Sequence, residues 1–552
     1  METYDVVVLG TGAAGLTAGL AAASSGASVG LFEKSARVGG TTAHSGGVVW
    51  LPDNKYARQA GISDSRDEAL TYLRSLSNGT MREEMIAAFV DGVGELVDWL
   101  EEETPVRLKL VARYPDYHPE RPGGKPGGGR SLEPELTSLD AIGEWAGSLA
   151  GQPRRLYIGE IPSGGGTGVI PDDVFAGRKA RNLEGLGRGL VAGLLQGCLE
   201  REIVPEVGAR AAGLLVESGR VAGVHIERPE GGPRTVRARN AVVLATGGFE
   251  WDADLARTFL RGPIDHPPGV SANTGDGLKM AMKIGVQLGN MREAWWVPVI
   301  APPGAVSPDG GQLAVLLLRE RTLPGTIMVN RTGRRFTNEA ASYNALGPAF
   351  HAFEVSQFRY ANIPAWLILD GQCVTKYGCF GTKPGGNAPG WMTRARSLTA
   401  LADALGLPGS ELTATVARWN DQVRRGHDGD FGRGQSIYDG WCGDQTHYGT
   451  PQATLGEISS PPFYAVRVYP SVLGTKGGPQ TNPDGQVLDL NGELIAGLFA
   501  VGNVMAAPTG MAYGGAGGTL GPAMVFGYRA GRHAAMPVPA QRLSIADSTS
   551  SR

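Results

Sequence analysis

A glycine-rich stretch near the end of the chain holds one tyrosine in a setting suited to polarising an oxygen atom. Residues 510–524 contain six glycines around Tyr513. Glycines at this density allow a backbone to lie against a large flat ligand, because no Cβ stands in the way. The apolar run over residues 524–531 predicts a helix whose N-terminal N–H groups would face the same ligand. A hydroxyl and several backbone donors aimed at one place predict a site that binds and activates an oxygen.

The N-terminal segment indicates what that ligand is. Residues 4–34 predict a strand, a glycine turn, a helix and a second strand, with Gly10-Thr11-Gly12-Ala13-Ala14-Gly15 as the turn. Its glycines serve a tight turn, a close approach to a pyrophosphate and the packing of helix on strand. Glu33 ends the second strand, 18 residues after Gly15, where a carboxylate can accept hydrogen bonds from a ribose. The segment therefore predicts dinucleotide binding.

Two further apolar strands end in turns of small residues far along the chain. One leads into residues 245–249 and the other into Gly502-Asn503, while a polar, glycine-studded loop at residues 34–47 follows Glu33. One sheet assembled from such distant pieces would follow an extended cofactor. This pattern favours FAD over NAD.

Composition places the chain among folded proteins with more than one domain. Its 552 residues exceed what one ordinary core accommodates. The 51 basic and 54 acidic residues nearly cancel, so no electrostatic footprint for nucleic acid is evident. Four cysteines without a CxxC pair and eight histidines without metal-ligand spacing predict no metal site.

The location predicted from the sequence is the cytoplasm. No apolar run reaches membrane-spanning length, and no signal-type segment precedes the first strand. We therefore expect a protein without a membrane span. Residues 537–552 are polar and rich in serine, which predicts a flexible tail.

The predicted fold class is α/β. We expect a Rossmann-like FAD-binding domain assembled from distant segments, with an inserted α+β domain for substrate and catalysis. The pattern changes to mixed α+β from about Arg292 to Pro461, and a cofactor-binding strand returns only after that block. The expected divisions are residues 1–290 for the first part of the FAD-binding domain, 291–461 for the catalytic domain, 462–536 for the return segment and 537–552 for the tail.

These motifs together resemble the fumarate reductase/succinate dehydrogenase flavoprotein superfamily, and within it the 3-ketosteroid Δ1-dehydrogenases. The resemblance extends from Tyr4 to about Gly531. The general motifs are residues 10–15, 33, 39–47, 245–249 and 273–277. The more specific matches are residues 112–120, 129–134, 295–298, 323–343, 473–478 and 513–524.

The resemblance implies a reaction and the residues that perform it. FAD, held non-covalently, would accept a hydride at N5 from ring carbon C1 of a 3-ketosteroid. Tyr343 would remove the C2 proton with support from Tyr117, while Tyr513 and the N–H of Gly517 would bind the C3 carbonyl oxygen. A phenol is a poor base at neutral pH, so Tyr343 should need hydrogen bonds or nearby positive groups that lower its pKa.

The resemblance also implies binding residues and a second substrate. Trp296 and Tyr114 would contact the ketone, and Tyr114 could exchange roles with Tyr117. The electron acceptor that reoxidises the flavin would be a quinone, a dye or oxygen. The residues implied for FAD are Gly10, Gly12, Ala13, Ala14, Gly15, Glu33, Lys34, Gly40, Thr41, Thr42, Ser45, Gly46, Gly47, Ala209, Thr246, Gly247, Gly248, Asn273, Gly275, Asp276, Gly502, Asn503, Gly518, Thr519 and Leu520.

Departures from the family pattern leave other interpretations open. Steroid enzymes usually carry a proline-containing version of the tyrosine loop, where this chain has Gly514-Gly515-Ala516, and the segment 132–184 is shorter here. The first alternative is the same chemistry on a smaller cyclic ketone, of the cyclohexanone or 4-oxocyclohexanecarboxylate type. A substrate carboxylate would then need a cation such as Arg113 or Arg130. A fumarate-type reductase is the second alternative, and a flavin-binding protein without catalysis is the third.

Overall fold

The structure is a computed structural model that describes residues 2–229, 232–306 and 312–537. The predicted tail lies outside the described residues, apart from Pro537. The strands are β1 (Glu2–Leu9), β2 (Val29–Phe32), β3 (Val49–Trp50), β4 (Leu108–Leu110), β5 (Ser131–Pro134), β6 (Thr137–Ser138), β7 (Leu183–Glu184), β8 (Arg210–Glu217), β9 (Arg220–Glu227), β10 (Arg234–Leu244), β11 (Leu288–Gly289), β12 (Ala294–Ile300), β13 (Val315–Leu316), β14 (Thr326–Asn330), β15 (Phe353–Glu354), β16 (Arg359–Tyr360), β17 (Ala365–Leu369), β18 (Thr393–Ala395), β19 (Phe463–Thr475), β20 (Gly478–Pro479), β21 (Gln486–Leu488) and β22 (Leu494–Ala500). The α-helices are α1 (Ala13–Ser24), α2 (Gly40–His44), α3 (Lys55–Gln59), α4 (Arg66–Leu76), α5 (Glu83–Glu103), α6 (Asp172–Ala180), α7 (Leu186–Leu199), α8 (Ala253–Phe259), α9 (Asp276–Lys283), α10 (Leu346–Phe350), α11 (Gly371–Tyr377), α12 (Leu398–Leu405), α13 (Gly409–Arg424) and α14 (Leu520–Ala534).

The first sheet unites segments from both ends of the chain. Its parallel strands run in the order β2-β1-β10-β22. Leu9 is in register with Phe32 and Leu244, and Leu244 is in register with Ala500. Strands β21, β9 and β8 extend the sheet by antiparallel pairing. The prediction that distant strands form one sheet is confirmed.

The first sheet and its helices enclose an apolar core. Residues 6–9 of β1 are at most 2% exposed. A strand that is apolar throughout is typical of a parallel sheet covered on both faces. Helix α1 is buried over residues 13–22 and packs against α7 and α14, which come from much later in the chain. Helix α14 begins at Leu520, before the predicted apolar run, so its N-terminus lies within the glycine-rich stretch of residues 510–524.

The second sheet is antiparallel and is built around β19. Its strands run in the order β13-β12-β19-β17-β14, and β18 also pairs with β19. Strand β19, which begins at residue 463, belongs to the second sheet, and the chain rejoins the first sheet at β21. The predicted division at residue 462 stays a prediction.

The helices differ widely in length and burial. Helix α5 is 21 residues long and has acidic residues near both ends. None of the helices in the described ranges combines the length and the apolar character needed to cross a bilayer.

Candidate active site

The turns predicted to hold a dinucleotide lie together at one edge of the first sheet. Strands β1, β2, β10 and β22 are parallel and in register, so their carboxyl ends share that edge. Residues 10–15, Glu33, residues 245–248 and Gly502-Asn503 follow those four ends. Ligands of open parallel sheets bind at this edge. The first sheet therefore presents a dinucleotide site.

The glycine turn between β1 and α1 has two tightly packed positions and one open position. Gly10 has a φ of +107°, and a Cβ there would lie 2.3 Å from a backbone oxygen of the turn after β10. A Cβ at Gly15 would lie 2.0 Å from the Gly10 carbonyl oxygen, whereas one at Gly12 would meet nothing nearer than Thr42 Oγ1 at 3.4 Å. The cap residue of helix α1 is Gly12, which has no side chain, and the first turn of the helix has no acidic residue. A helix N-terminus that is open at Gly12 and free of negative charge fits a pyrophosphate.

Polar groups gather at the end of β2. Glu33 is buried, and its Oε2 accepts hydrogen bonds from the Thr11 N–H at 3.0 Å and the Thr11 hydroxyl at 2.6 Å. Burial raises the pKa of Glu33, while the bonds from Thr11 lower it. Lys34 Nζ lies 3.0 Å from Asp276 Oδ2. These side chains provide the donors and acceptors that a ribose and its neighbouring groups require.

The loop after Glu33 is bonded to two other predicted cofactor segments. Thr42 Oγ1 accepts a hydrogen bond from the Ala13 N–H at 3.0 Å, beside the N-terminus of α1. Asn273 Nδ2 donates to Thr41 Oγ1 at 3.0 Å and to Glu250 Oε1 at 2.7 Å. Three segments distant in sequence therefore form one polar surface next to the glycine turn.

The other residues predicted to contact the cofactor lie on these same segments or beside them. They are Ala14 in α1; Gly40, Ser45, Gly46 and Gly47 in or just after α2; Ala209 just before β8; Thr246, Gly247 and Gly248 after β10; Gly275 just before α9; and Gly518, Thr519 and Leu520 at the start of α14. The Ala209 N–H donates to the Glu33 carbonyl at 2.8 Å, which holds Ala209 beside the end of β2.

Glu250, which the sequence did not single out, lies at the centre of this polar surface. Its side chain is 3% exposed, and no described residue forms a hydrogen bond with its Oε2. Burial raises the pKa of Glu250 to about 7, although the bond from Asn273 lowers it. The Thr246 hydroxyl is likewise buried without a partner among the described residues. Buried polar atoms are bonded in nearly all folded proteins, so these two atoms fit a surface that FAD completes.

Replacing Glu250 by Gln tests whether this carboxyl is uncharged in the folded protein. A glutamate ionises near 4.5 when unfolded and near 7 in this fold, so the folded state binds more protons between those values. The contribution of the Glu250 carboxyl to the free energy of unfolding is therefore greatest below pH 4.5. It falls by roughly 3 kcal/mol as the pH rises through 7. We expect the free energy of urea unfolding to fall less between pH 5 and pH 7.5 in Glu250→Gln than in the wild type. The exposed control Glu144→Gln should keep the wild-type dependence, and equal falls in both variants would contradict the assignment.

The tyrosines predicted to be catalytic come together in a second cluster. We call Tyr114, Tyr117, Tyr343, Tyr438 and Tyr513 the tyrosine cluster. The ring centroids of Tyr117, Tyr343 and Tyr513 lie 5.1 to 5.6 Å apart, although the residues come from three distant segments. All three side chains are buried. The structure therefore assembles the three predicted catalytic tyrosines at one place.

Tyr117 and Tyr343 are joined by a hydrogen bond. Their hydroxyl oxygens are 2.8 Å apart. The Tyr114 ring centroid lies 6.4 Å from that of Tyr117 and 4.6 Å from that of Trp441. Of the two tyrosines that could support Tyr343, the structure brings Tyr117 into contact with its hydroxyl, while Tyr114 packs against Trp441 in the wall behind.

Tyr513 and Gly517 present two hydrogen-bond donors from one loop. The Thr519 hydroxyl donates to the Tyr513 oxygen at 3.1 Å, which leaves the phenol hydrogen for another acceptor. Gly517 has a φ of +93°, and a Cβ there would lie 2.5 Å from the Val48 carbonyl oxygen. The Gly517 carbonyl accepts from the Trp50 N–H at 3.0 Å, whereas none of the described residues accepts from the Gly517 N–H. Such a donor pair can hold a carbonyl oxygen on which negative charge develops.

Burial raises the pKa of the phenols in this cluster. The pKa of Tyr343 lies well above its ordinary value because the ring is desolvated and other tyrosines surround it, although the bond to Tyr117 lowers it. Burial raises the pKa of Tyr513 too, while the bonds to Thr519 and Tyr343 lower it. The expected lowering of the Tyr343 pKa is thus outweighed by the aromatic surroundings. With its pKa raised, Tyr343 is a neutral phenol at neutral pH, and it must lose its own proton before it can accept one from a substrate.

A buried ion network, not predicted from the sequence, holds the segment that carries Tyr117. The Arg130 guanidinium lies 2.7 Å from Asp64 and 2.8 Å from Asp116, and these side chains are 1 to 2% exposed. Asp116 also accepts a hydrogen bond from Trp50 Nε1 at 2.8 Å. Because both carboxylates engage Arg130, this arginine is an anchor for the Tyr117 segment and is not a free cation for a substrate carboxylate.

The same network explains why the tyrosine loop is rich in glycine. The Gly514 carbonyl accepts hydrogen bonds from the Tyr117 N–H at 2.9 Å and the Tyr72 hydroxyl at 2.6 Å. A Cβ at Gly515 would lie 2.5 Å from the Trp50 indole. Where steroid enzymes usually carry a proline, this chain has glycine, and the Trp50 indole occupies the space that a side chain at Gly515 would need.

A buried ion cluster precedes Tyr343 in the second sheet region. Arg335 binds Glu339 with two hydrogen bonds of 2.7 Å and lies 2.9 Å from Asp428. Arg433, which is fully buried, lies 3.2 Å from Glu339. Two guanidinium groups and two carboxylates balance one another, so this cluster fixes the backbone that leads to Tyr343.

Asn344 connects the Tyr343 turn to the tyrosine loop. Its Oδ1 accepts a hydrogen bond from the Trp296 N–H at 3.0 Å. Its Nδ2 donates to the Met511 carbonyl at 3.2 Å, two residues before Tyr513. The Asn344 side-chain amide therefore links the turn that carries Tyr343 to the loop that carries Tyr513. The sequence did not indicate this link.

Trp296, predicted to contact the substrate, lies on the opposite face of β12 from the tyrosine cluster. Its side chain is 1% exposed and packs in a separate apolar cluster with Phe249. Trp295 instead lies 4.8 Å from Tyr513 between ring centroids, and its Nε1 donates to Asn503 Oδ1 at 3.0 Å. Successive side chains of a strand point to opposite faces, so Trp295 adjoins the tyrosine cluster and Trp296 does not, while the substrate contact of Trp296 stays a prediction. Trp295 links the cofactor edge to the tyrosines.

Comparison with known families identifies the chain. Residues 5–520 match the family model described as the FAD binding domain. The chain belongs to this family of FAD-binding oxidoreductases, and its cofactor is FAD. The predicted fold class and cofactor are confirmed.

Individual relatives are similar over nearly the whole chain. A 4-oxocyclohexanecarboxylate 2-dehydrogenase of Sinomonas cyclohexanicum is 39% identical over 539 residues, which cover 96% of this chain and 92% of the relative. A 3-oxosteroid 1-dehydrogenase of Mycobacterium tuberculosis is 38% identical over 573 residues, which cover 97% and 99%. The crystal structure of 3-ketosteroid delta1-dehydrogenase from Sterolibacterium denitrificans, in complex with 1,4-androstadiene-3,17-dione, has a TM-score of 0.87 and 34% identity, covering 97% of this chain and 100% of that one. The predicted resemblance is confirmed.

Proposed function

We propose that the protein is an FAD-dependent desaturase of cyclic ketones, and that its reaction is the Δ1-dehydrogenation of a 3-ketosteroid. The observation that carries the proposal is the pairing of two kinds of group in the tyrosine cluster. Tyr117 and Tyr343 share a hydrogen bond of 2.8 Å, and Tyr513 and Gly517 offer donors from the adjoining loop. The relatives named as dehydrogenases of 3-oxosteroids and of an oxocyclohexane support the same class of reaction.

The ketone oxygen is the group that Tyr513 and Gly517 would hold. The Tyr513 hydroxyl and the Gly517 N–H donate to it as negative charge develops during loss of the neighbouring proton. One donor of this kind typically contributes about 10²- to 10³-fold to the rate. Because Thr519 already donates to the Tyr513 oxygen, the Tyr513 hydroxyl would keep its hydrogen for the ketone oxygen.

Tyr343 would accept the proton from C2, the carbon beside the carbonyl, as the phenolate, after its own hydroxyl proton has been lost. Tyr117 donates to the Tyr343 oxygen and stabilises the negative charge that Tyr343 carries when it acts as a base. The C2–H bond breaks to give a proton, the C1–H bond breaks to give a hydride, and a C1–C2 double bond forms. When bound, FAD would supply the acceptor for the hydride, and a quinone, a dye or oxygen would take up the electrons. Because burial raises the pKa of Tyr343, forming its phenolate costs free energy, which the hydrogen bond from Tyr117 reduces.

The polar surface of the first sheet would hold FAD without a covalent bond. The N-terminus of α1 and the open side of Gly12 suit the pyrophosphate, and Glu33 suits the adenosine ribose. Thr519 and Leu520, at the start of α14 and next to the tyrosine loop, would contact the flavin end of the cofactor. Trp295 and Asn503 join the two ends of the site through their hydrogen bond.

A smaller cyclic ketone is the second candidate substrate, because the wall behind Tyr114 is closely packed. Trp441 packs against Tyr114 at an angle of 37° and donates from Nε1 to the Ser163 carbonyl at 3.0 Å. A Cβ at Gly165 would lie 2.7 Å from the Trp441 ring. Ser163 and Gly165 belong to the segment 132–184, which by the resemblance is shorter here than in steroid enzymes. A substrate of the 4-oxocyclohexanecarboxylate type would need a cation other than Arg130, which Asp64 and Asp116 hold.

Anaerobic reduction of the bound flavin separates these substrates. We expect a saturated 3-ketosteroid to bleach the flavin absorbance, and cyclohexanone or 4-oxocyclohexanecarboxylate to do so more slowly. The product of each mixture should be the ketone with one new double bond beside the carbonyl, as identified by mass and NMR. Faster bleaching by the small ketones would assign the second candidate. Reduction by none of them, together with oxidation of the chemically reduced enzyme by fumarate, would contradict the proposal.

A further inference from the structure

Lys476 is a fully buried lysine directly after β19, and its surroundings are unusual for a cation. The side chain is 0% exposed. Its Nζ donates to the Ala512 carbonyl at 2.6 Å and lies 3.9 Å from the centroid of the Trp295 ring. No carboxylate among the described residues forms an ion pair with it, since the nearby Glu293 pairs with Arg261 and Arg292. Burial of a lysine without a carboxylate partner is unfavourable for folding, so its retention calls for a functional reason.

The two groups that Lys476 contacts both adjoin Tyr513. The Ala512 carbonyl belongs to the peptide bond that also carries the Tyr513 N–H. The Trp295 ring meets the Tyr513 ring at a centroid distance of 4.8 Å and an angle of 63°. The Lys476 Nζ therefore bonds to the backbone before Tyr513 and lies over the aromatic ring beside it.

Hydrogen bonds from other side chains hold the carbonyl groups on either side of Ala512 in the loop, whereas the Ala512 carbonyl is held by Lys476. Asn344 holds the Met511 carbonyl, and Tyr117 and Tyr72 hold the Gly514 carbonyl. The Ala512 carbonyl, between these two anchors, accepts its side-chain hydrogen bond from Lys476. Loss of this bond would free the peptide group that determines how the phenol is aimed.

We propose that Lys476 is a positioning residue, which holds the Ala512–Tyr513 peptide bond and the Trp295 ring so that the Tyr513 hydroxyl points at the ketone oxygen. The inference deepens the proposed function and rests on it for its kinetic consequence. The placement of Tyr513 by Lys476 is a structural relation and is measurable without any substrate.

A double-mutant cycle tests the kinetic consequence. Lys476→Met keeps a long, unbranched side chain but removes the charge and the donor, and Lys476→Gln serves if the methionine variant does not fold. We expect either variant to retain FAD and to reduce its flavin at least tenfold more slowly with the preferred ketone. In a Tyr513→Phe background the same change should add less than about twofold, because residues acting through one group are not additive. Losses that multiply would overturn the inference.

Tyrosine NMR provides the readout that does not need turnover. With ¹³Cζ-labelled tyrosine, the Tyr513 resonance is the one that disappears in Tyr513→Phe. We expect it to shift or broaden in Lys476→Met, and to stay unchanged in the control Lys376→Met, whose side chain pairs with Asp444 at the surface. An unchanged Tyr513 resonance in folded, FAD-containing Lys476→Met overturns the inference whether or not any ketone is a substrate. A shifted resonance in an enzyme that desaturates no ketone would sustain the positioning role and reject the proposed function.

Discussion

Replacing Tyr343 by Phe is expected to slow anaerobic flavin reduction by about 10³-fold with the preferred ketone, while FAD content and fold are retained. The ring remains, so its packing against Tyr117 and Tyr513 is preserved. The variant loses the oxygen that takes the C2 proton and the 2.8 Å bond to Tyr117. Positioned general bases typically contribute 10²- to 10⁴-fold, so about 10³ lies in the middle of that range. Stopped-flow absorbance of the flavin measures the change directly.

Tyr464→Phe is the matched control for this substitution. Tyr464 lies on β19 and packs in another apolar cluster, so its variant should reduce the flavin at the wild-type rate. Deuterium at C2 of the ketone should slow the wild-type reaction if proton removal limits it. A loss of less than tenfold in Tyr343→Phe would assign the base to another group.

Replacing Tyr513 by Phe is expected to lower kcat for flavin reduction by about 10²-fold, with a smaller change in KM. The phenol donates more strongly as charge builds on the ketone oxygen, and an interaction of that kind affects kcat more than binding. The lower end of the range for an oxyanion donor is expected, because the Gly517 N–H remains in place. Steady-state kinetics with an artificial electron acceptor separates kcat from KM.

Thr519→Val grades the effect without removing the phenol. The valine variant loses only the hydrogen bond of 3.1 Å to the Tyr513 oxygen, so its loss of kcat should be smaller than that of Tyr513→Phe. If Tyr513→Phe raises KM and leaves kcat unchanged, Tyr513 binds the ketone equally in the ground and transition states and is not an electrophilic catalyst.

The cofactor edge could be predicted from the sequence because its signals are local. A buried strand, a glycine turn and a helix start occur within a few residues of one another at Gly10, and Glu33 follows at the end of the next strand. Parallel pairing then brings the ends of β10 and β22 to the same edge without further specification. The motif determines the chemistry, and the topology of the sheet determines the meeting point.

The choice between Trp295 and Trp296 could not be made in this way. Both residues are large and apolar, both are buried, and β12 is covered on both faces. In such a strand the apolar pattern does not alternate, so it carries no information on which side chain faces the site. The phase follows from the pairing of β12 with β19, which is a long-range contact.

The buried charged residues that support the site could not be predicted from the sequence, for a related reason. No sequence spacing among Arg130, Asp64 and Asp116 predicts an ion network. Nothing in the sequence around Glu250 distinguishes it from an exposed acidic residue after a strand. Their role depends on burial, which the sequence indicates poorly for charged residues, since most of them are exposed. Only the three-dimensional structure shows that Arg130 forms buried ion pairs with Asp64 and Asp116, and that the Glu250 carboxyl is buried.

The packing of α1 against α14 has a consequence for the order in which the protein is completed. Helix α1 is synthesised about 500 residues before the helix that covers it. At 5 to 20 residues per second, the synthesis of those residues takes roughly half a minute to two minutes. The nucleotide turn thus leaves the ribosome long before it can reach its final surroundings. A nascent chain interrupted before α14 would expose the face of α1 that a completed chain hides.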